Sequence, residues 1–169
     1  MEVWARLLRR NADAHLDDPP DVVVNYDNSR IGIACKKLYS ERHVQNVLSE
    51  AVGQIERGFD FGIVGLNLDD LLPKGVVLKG DSTNAVAERL LSANNLFLQK
   101  HERHFQKYLA KGRLISAIVS TSIVADVPSE RPQFQNMYQW TIWTIPGLDA
   151  RYQEPLNKFY GTVMNRPRH

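Results

Sequence analysis

Asp21 and Lys36 stand at the two ends of one β-rich stretch, PPDVVVNYDNSRIGIACKK, residues 19–37. A chain that leaves Asp21 as VVVNY, turns through DNSR and returns as IGIACKK brings the aspartate and the lysine back to one end of a hairpin. That pairing has a use in phosphodiester hydrolysis. The carboxylate can hold a hard divalent cation, and the lysine can orient or activate the attacking water and balance the charge that develops. Strand alternation sets Ala34 on the face of Lys36 and Cys35 on the other. Alanine cannot bind metal, and one carboxylate holds magnesium poorly, so a second acid has to come from another element.

The surrounding pattern supplies the elements. Val3, Trp4, Leu7 and Leu8 recur at helical spacing and predict a helix from Glu2 to about Ala14, stopped by Asp17, Asp18, Pro19 and Pro20. DVVVNY and IGIACKKLY read as strands covered on both faces, because they are almost continuously small or apolar. Ser40 suits a helix N-cap, and Val44, Val47, Leu48, Ala51 and Ile55 form the buried stripe of the helix that follows, with Gly58 past its end. FGIVGLNL predicts the next strand, leading into DDLLP, and residues 74–80 an irregular or extended connection. A long helix is expected from about Ser82 to Lys111, closed by Gly112. RLISAIVSTSIVADV and NMYQWTIWTI predict two further strands, and DARYQEPLNKFYGTVM a terminal helix. The order α, β, β, α, β, α, β, β, α describes one α/β domain over residues 1–169, a central mixed β-sheet flanked by helices. Its motif-bearing core spans about residues 1–72, with a helix-strand-strand-helix extension over about 82–165.

Pro20–Asp21, the hairpin and Ala34-Cys35-Lys36 resemble the PD-(D/E)xK superfamily of restriction-endonuclease-like nucleases. In that pattern Asp21 corresponds to the first acid, Lys36 to the lysine and Ala34 to the middle acid, so the resemblance covers roughly the first 70 residues and departs at Ala34. Some restriction enzymes of the superfamily supply the displaced carboxylate from the next helix, fourteen positions beyond the lysine, which here is Glu50. Gln54 resembles the helix glutamine of the RecB-like branch, which helps bind the substrate end of the site. The resemblance therefore implies a restriction-endonuclease-like core, with Asp21, Glu50 and the Cys35 backbone carbonyl as ligands of magnesium or manganese. Lys36 would position water and Gln54 would orient the substrate. Cores of this kind usually begin α, β, β, β. Only two strands precede the second helix in the present reading, so the first is either lost or survives as AHLDD, residues 14–18. Glu2 falls where relatives often carry another acid.

Other residues invite chemistry with less support. His101 and His104 form an HxxH spacing without the glutamate of a zinc-protease helix, and His101 borders an apolar stripe, so a satisfied border histidine is the better reading. Trp140 and Trp143 could stack nucleobases but suit a sheet face. The serines of VSTSIV lack a nucleophile-elbow context, and no glycine-rich phosphate loop supports an ATPase. The single Cys35 excludes an intrachain disulfide and a cysteine-rich zinc site, which fits a reducing, cytoplasmic setting. No apolar run is long enough to cross a bilayer. A net charge of +2 does not itself point to nucleic acid, although basic residues recur between Lys100 and Arg113. Two functions remain open. One is magnesium-dependent hydrolysis of DNA, with RNA as another substrate. The other is a nuclease-like fold without turnover, serving as a nucleic-acid-binding or scaffold subunit. A homodimer or a partner protein is compatible with both.

Overall fold

Five consecutive residues of VVVNY pair with SRIGI, because β-branched side chains fit a pleated surface buried on both faces. In the structure, a computed structural model describing residues 2–26, 29–59, 61–110 and 114–164, these become β2 (Val22–Tyr26) and part of β3 (Ser29–Lys37). They run antiparallel, from Tyr26 opposite Ser29 to Val22 opposite Ile33. The turn residues Asp27 and Asn28 and the side chain of Glu2 lie outside the described residues.

The first helix, α1 (Glu2–Arg9), is shorter than its apolar pattern predicts. The chain then adopts a positive φ of 52° at Asn11, a conformation asparagine tolerates better than most residues. Ala14–Leu16 follows as a short strand, β1, antiparallel to β2. The AHLDD stretch therefore does contribute a strand, and the chain opens α, β, β, β.

Ser40 caps a short 3-10 turn, Glu41–His43, which leads into α2 (Val44–Glu56). Next come β4 (Phe61–Asn67), a second 3-10 turn (Asp69–Leu71) and β5, which is only Leu78–Lys79. The long helix expected from Ser82 divides at His101 into α3 (Thr83–Lys100) and α4 (Glu102–Leu109). Its expected closing residue Gly112, with Lys111, lies outside the described residues. Strand β6 (Leu114–Asp126), strand β7 (Phe134–Trp143) and helix α5 (Ala150–Met164) follow as the last elements of the described residues.

The result is a single α/β domain built on a mixed seven-stranded sheet. The meander β1-β2-β3 is antiparallel, whereas β3, β4 and β6 run parallel and are joined by helical crossovers. The extension thus completes the sheet of the core. Strand β7 takes one edge of β6, which leaves β4 and β5 to share the other.

Alternation sorts the core into two layers. Val23, Ala34, Val64, Leu66, Ala117 and Val119 face α2, α3 and α4. Val22, Val24, Ile31, Ile33, Ile63 and Ile118 face α1 and α5. Helix α5 is tied down by a polar contact as well. The buried Ser116 hydroxyl donates to the Trp143 carbonyl at 2.9 Å and is hydrogen-bonded to the Tyr160 hydroxyl. Burial raises the Tyr160 pKa far above the ordinary tyrosine value, so the ring stays neutral.

Candidate functional site: a cleft at the carboxyl ends of β3 and β4

Parallel strands β3 and β4 end together at Lys37 and Asn67, and a cleft opens at that edge, where open α/β sheets commonly place ligands. Its volume is about 410 Å³. Asp21, Cys35, Lys36 and Lys37 border it on one side, Asn67, Asp69 and Ser120 on another, and Val3, Ile118 and Trp140 form an apolar wall.

Asp21 reaches this cleft because the β2–β3 ladder ends at Val22 opposite Ile33. One residue further out, the Asp21 carboxylate replaces the missing backbone acceptor: the Cys35 amide donates to its Oδ2 at 2.7 Å. An amide bond to an ionised acceptor is among the stronger protein hydrogen bonds. It fixes the aspartate against the Cys35–Lys36 segment. The N–H and C=O of one strand residue point to the same edge, so the Cys35 carbonyl is aimed at the edge Asp21 occupies, past the end of the ladder. A carboxylate and a peptide carbonyl together suit a hard cation such as magnesium. The Cys35 thiol is a poor ligand, since burial, with a contribution from Asp21, pushes its pKa up to about 11.

Lys36 borders the cleft, although alternation gives its side chain the face of Ala34 and Leu38, on which α2 packs. Lys37 shares the cleft's face with Cys35. Its ammonium pairs with Asp70 at 2.9 Å, which raises its pKa.

The remaining predicted residues stay apart. Glu50 is exposed on α2, a helix whose buried residues Val44, Leu48, Ala51 and Ile55 pack on the layer away from the cleft's apolar wall. Gln54 is partly buried on the same helix, and its Oε1 has no hydrogen-bond partner among the described residues. Neither borders the cleft. Among the described residues no three His, Cys, Asp or Glu side chains converge as a metal-binding group.

Asp69 is the acid that sequence reading passed over. Its Oδ1 accepts from the Ser122 amide at 2.6 Å, and its Oδ2 from the Ser122 hydroxyl at 2.5 Å and Asn67 Nδ2 at 3.0 Å. The signal was present in LNLDD, an aspartate two residues past a strand end, but its partner lies 53 residues later.

His101 is buried beside Phe97, ring centroids 4.8 Å apart, with Nε2 3.2 Å from Glu41 Oε2, and stacks on His104. It acts as a satisfied packing residue. Trp143 packs on Phe105, and Trp140 lies under the Arg6 guanidinium at 4.0 Å. No helix among the described residues is long and apolar enough to cross a membrane. No family model matches the chain, and neither a curated protein nor a solved structure matches it.

Proposed function

We propose that the chain is a metal-dependent nuclease of the PD-(D/E)xK type that hydrolyses phosphodiester bonds in DNA at the β3–β4 cleft. The observation that carries this reading is the 2.7 Å bond from the Cys35 amide to Asp21, which sets the two ends of the PD…ACK motif against each other. The opening order α1, β1, β2, β3, α2, β4 also supports it, since β1 supplies the strand with which cores of the superfamily usually begin their sheet.

Asp21 and the Cys35 carbonyl are the residues that would hold the cation, and with a single carboxylate they would hold it weakly in the absence of substrate. When bound, magnesium or manganese supplies Lewis acidity at the phosphoryl oxygen. The Lys36 side chain leaves β3 from the α2-covered face, so its long flexible stem would have to bend round the strand end for the ammonium to orient the attacking water and offset charge gathering on the phosphoryl oxygens. Water adds to phosphorus and gives up one proton to solvent, one bridging P–O bond breaks, and the departing oxygen takes up a proton from solvent.

Cleavage of plasmid and linear DNA with magnesium, and with the metal chelated, tests the reading. Asp21→Ala and Lys36→Ala each lose cleavage by a factor of at least ~100, with thermal unfolding still cooperative. Glu50→Ala stays within about twofold, because its side chain is outside the cleft. Unchanged cleavage in either of the first two variants removes the proposed site. A large loss in Glu50→Ala returns the second metal ligand to α2.

A second reading is favoured by the position of Glu50, which is exposed on α2 and does not border the cleft. On it, the same cleft binds nucleic acid without turnover. Salt-dependent DNA affinity with no cleavage in magnesium or manganese would select it.

A further inference from the structure

Beyond the cleft, strands β6 and β7 continue as a two-stranded ribbon. Ser120 pairs with Trp140 at the cleft wall, and the next pairs on the same face are Ser122 with Tyr138, Val124 with Asn136, and Asp126 with Phe134. Lys79 of β5 pairs with Asp126 from the other side. Helix α3 covers the opposite face, where Val86 and Leu90 pack against Ala125 and Val127, with Ile123 and Met137 beside them. Helices α1 and α5 stop short of the ribbon: their layer includes Ile118 and Trp140 but none of the outer residues. Phe134 is consequently 59% exposed, Tyr138 50% and Val124 42%.

We propose that this face carries single-stranded DNA leading into or out of the cleft, an inference that rests on the nuclease-like reading for its choice of ligand. Continuity comes first. The ribbon face begins at Ser120 and Trp140, which themselves line the cleft beside Asp21 and Lys36, so a strand whose phosphate lies there must leave along some neighbouring surface. The side chains come second. Same-face positions recur about every 7 Å along a strand, and two of the three beyond Trp140 present rings, Tyr138 and Phe134, with Asn136 between them. Exposed rings separated by hydrogen-bonding side chains suit the stacking of unpaired bases, a mode that tolerates any sequence. Base pairs in a duplex do not offer those faces. Charge adds little, since Lys79 at the outer end stands beside Asp126 and Lys37 at the cleft is paired with Asp70, so base stacking carries the binding. A second copy of the chain fits less well. The three apolar side chains are interrupted by Ser122, Asn136, Asp126 and Lys79, and a stable dimer needs a continuous apolar centre.

Fluorescence anisotropy of a labelled single-stranded DNA of ~15 nucleotides, long enough for several stacking sites, tests this with metal chelated so that no cleavage occurs. The Tyr138→Ala, Phe134→Ala double variant loses affinity at least about tenfold, whereas Tyr138→Trp keeps it. Both rings are exposed, so thermal unfolding stays where it was. Wild-type affinity in the double variant overturns the proposal. So does equal or tighter binding of a duplex or an RNA of the same sequence, no binding by the wild type, or a wild-type dimer in light scattering that the double variant abolishes. If the wild type binds the single strand through these rings but cleaves nothing, the ribbon stands and the hydrolytic reading falls.

Discussion

Asp69 and Asp21 have similar tasks on the two sides of the cleft. Each is an aspartate just outside a strand, and each takes a backbone amide that the sheet leaves without a carbonyl partner. Asp21 satisfies Cys35 with Oδ2. Asp69 is committed through both oxygens, to Ser122 and Asn67, which suits it to bracing the cleft. The Asp69→Ala variant leaves the Ser122 amide and hydroxyl and the Asn67 carboxamide short of their acceptor. Partly buried donors left in that state cost about 1–3 kcal/mol, so the urea midpoint falls accordingly. A midpoint equal to wild type would mean that water replaces the carboxylate at no cost. The same distinction explains why Asp21 could be singled out by its residue type and setting, whereas Asp69 could not: its partner comes from β6, far along the chain.

At the scale of elements, the crossing of α2 over β3 and β4 depends on two glycines. A Cβ at Gly62 would stand 2.5 Å from the Gly32 carbonyl oxygen and 2.5 Å from Ile55 Cδ1, and one at Gly32 would stand 2.9 Å from the same Ile55 methyl. Backbone cannot yield as a side-chain end can. Gly62→Ala therefore pushes α2 off the sheet and destabilises by about 1–3 kcal/mol, the usual cost of overpacking. Gly53→Ala, with no atom within 4 Å of its added Cβ, serves as the matched control on the same helix and stabilises slightly or not at all. Thermal unfolding of the two variants checks this, and equal midpoints would show that α2 is not seated this closely. This packing also fixes the site. With its apolar stripe held against Ala34 and Val64, α2 presents Glu50 to solvent, and no rotation brings that carboxylate to the cleft without unburying Leu48 and Ile55.

At the scale of the whole molecule, one carboxylate ties the turn after β3 to the α3–α4 junction. Glu41, in the turn after β3, pairs with Lys100 at the end of α3 and with His101 at the α3–α4 junction. Lys100, then His101, lowers its pKa from the usual glutamate value. A carboxyl whose folded pKa is depressed contributes stability above its unfolded pKa, near about 4.3, and loses that contribution as pH falls through the folded value. Glu41→Gln thus lowers the unfolding temperature at neutral pH and narrows its gap to wild type on acidification. Because Glu41 is well exposed, the gap is small and shrinks in high salt. A constant gap from pH 7 down to pH 3 would leave the junction to packing alone.

Local pattern alone determined much of this protein: the helices and most strands, the hairpin, and with it the return of the chain from Asp21 to the Cys35–Lys36 segment. Those features follow from hydrophobic periodicity and turn chemistry, which act between near neighbours. The three-residue β1 was legible only as a remnant, since so short an edge strand has little periodicity to show. The break at His101 carried no glycine or proline to announce it. Tertiary structure alone decided how far α2 reaches, that Asp69 closes on Ser122, and that the β6–β7 ribbon extends past its helices with Phe134 and Tyr138 uncovered. Each depends on which elements meet in space, and contacts between residues dozens of positions apart leave no local signature in the chain.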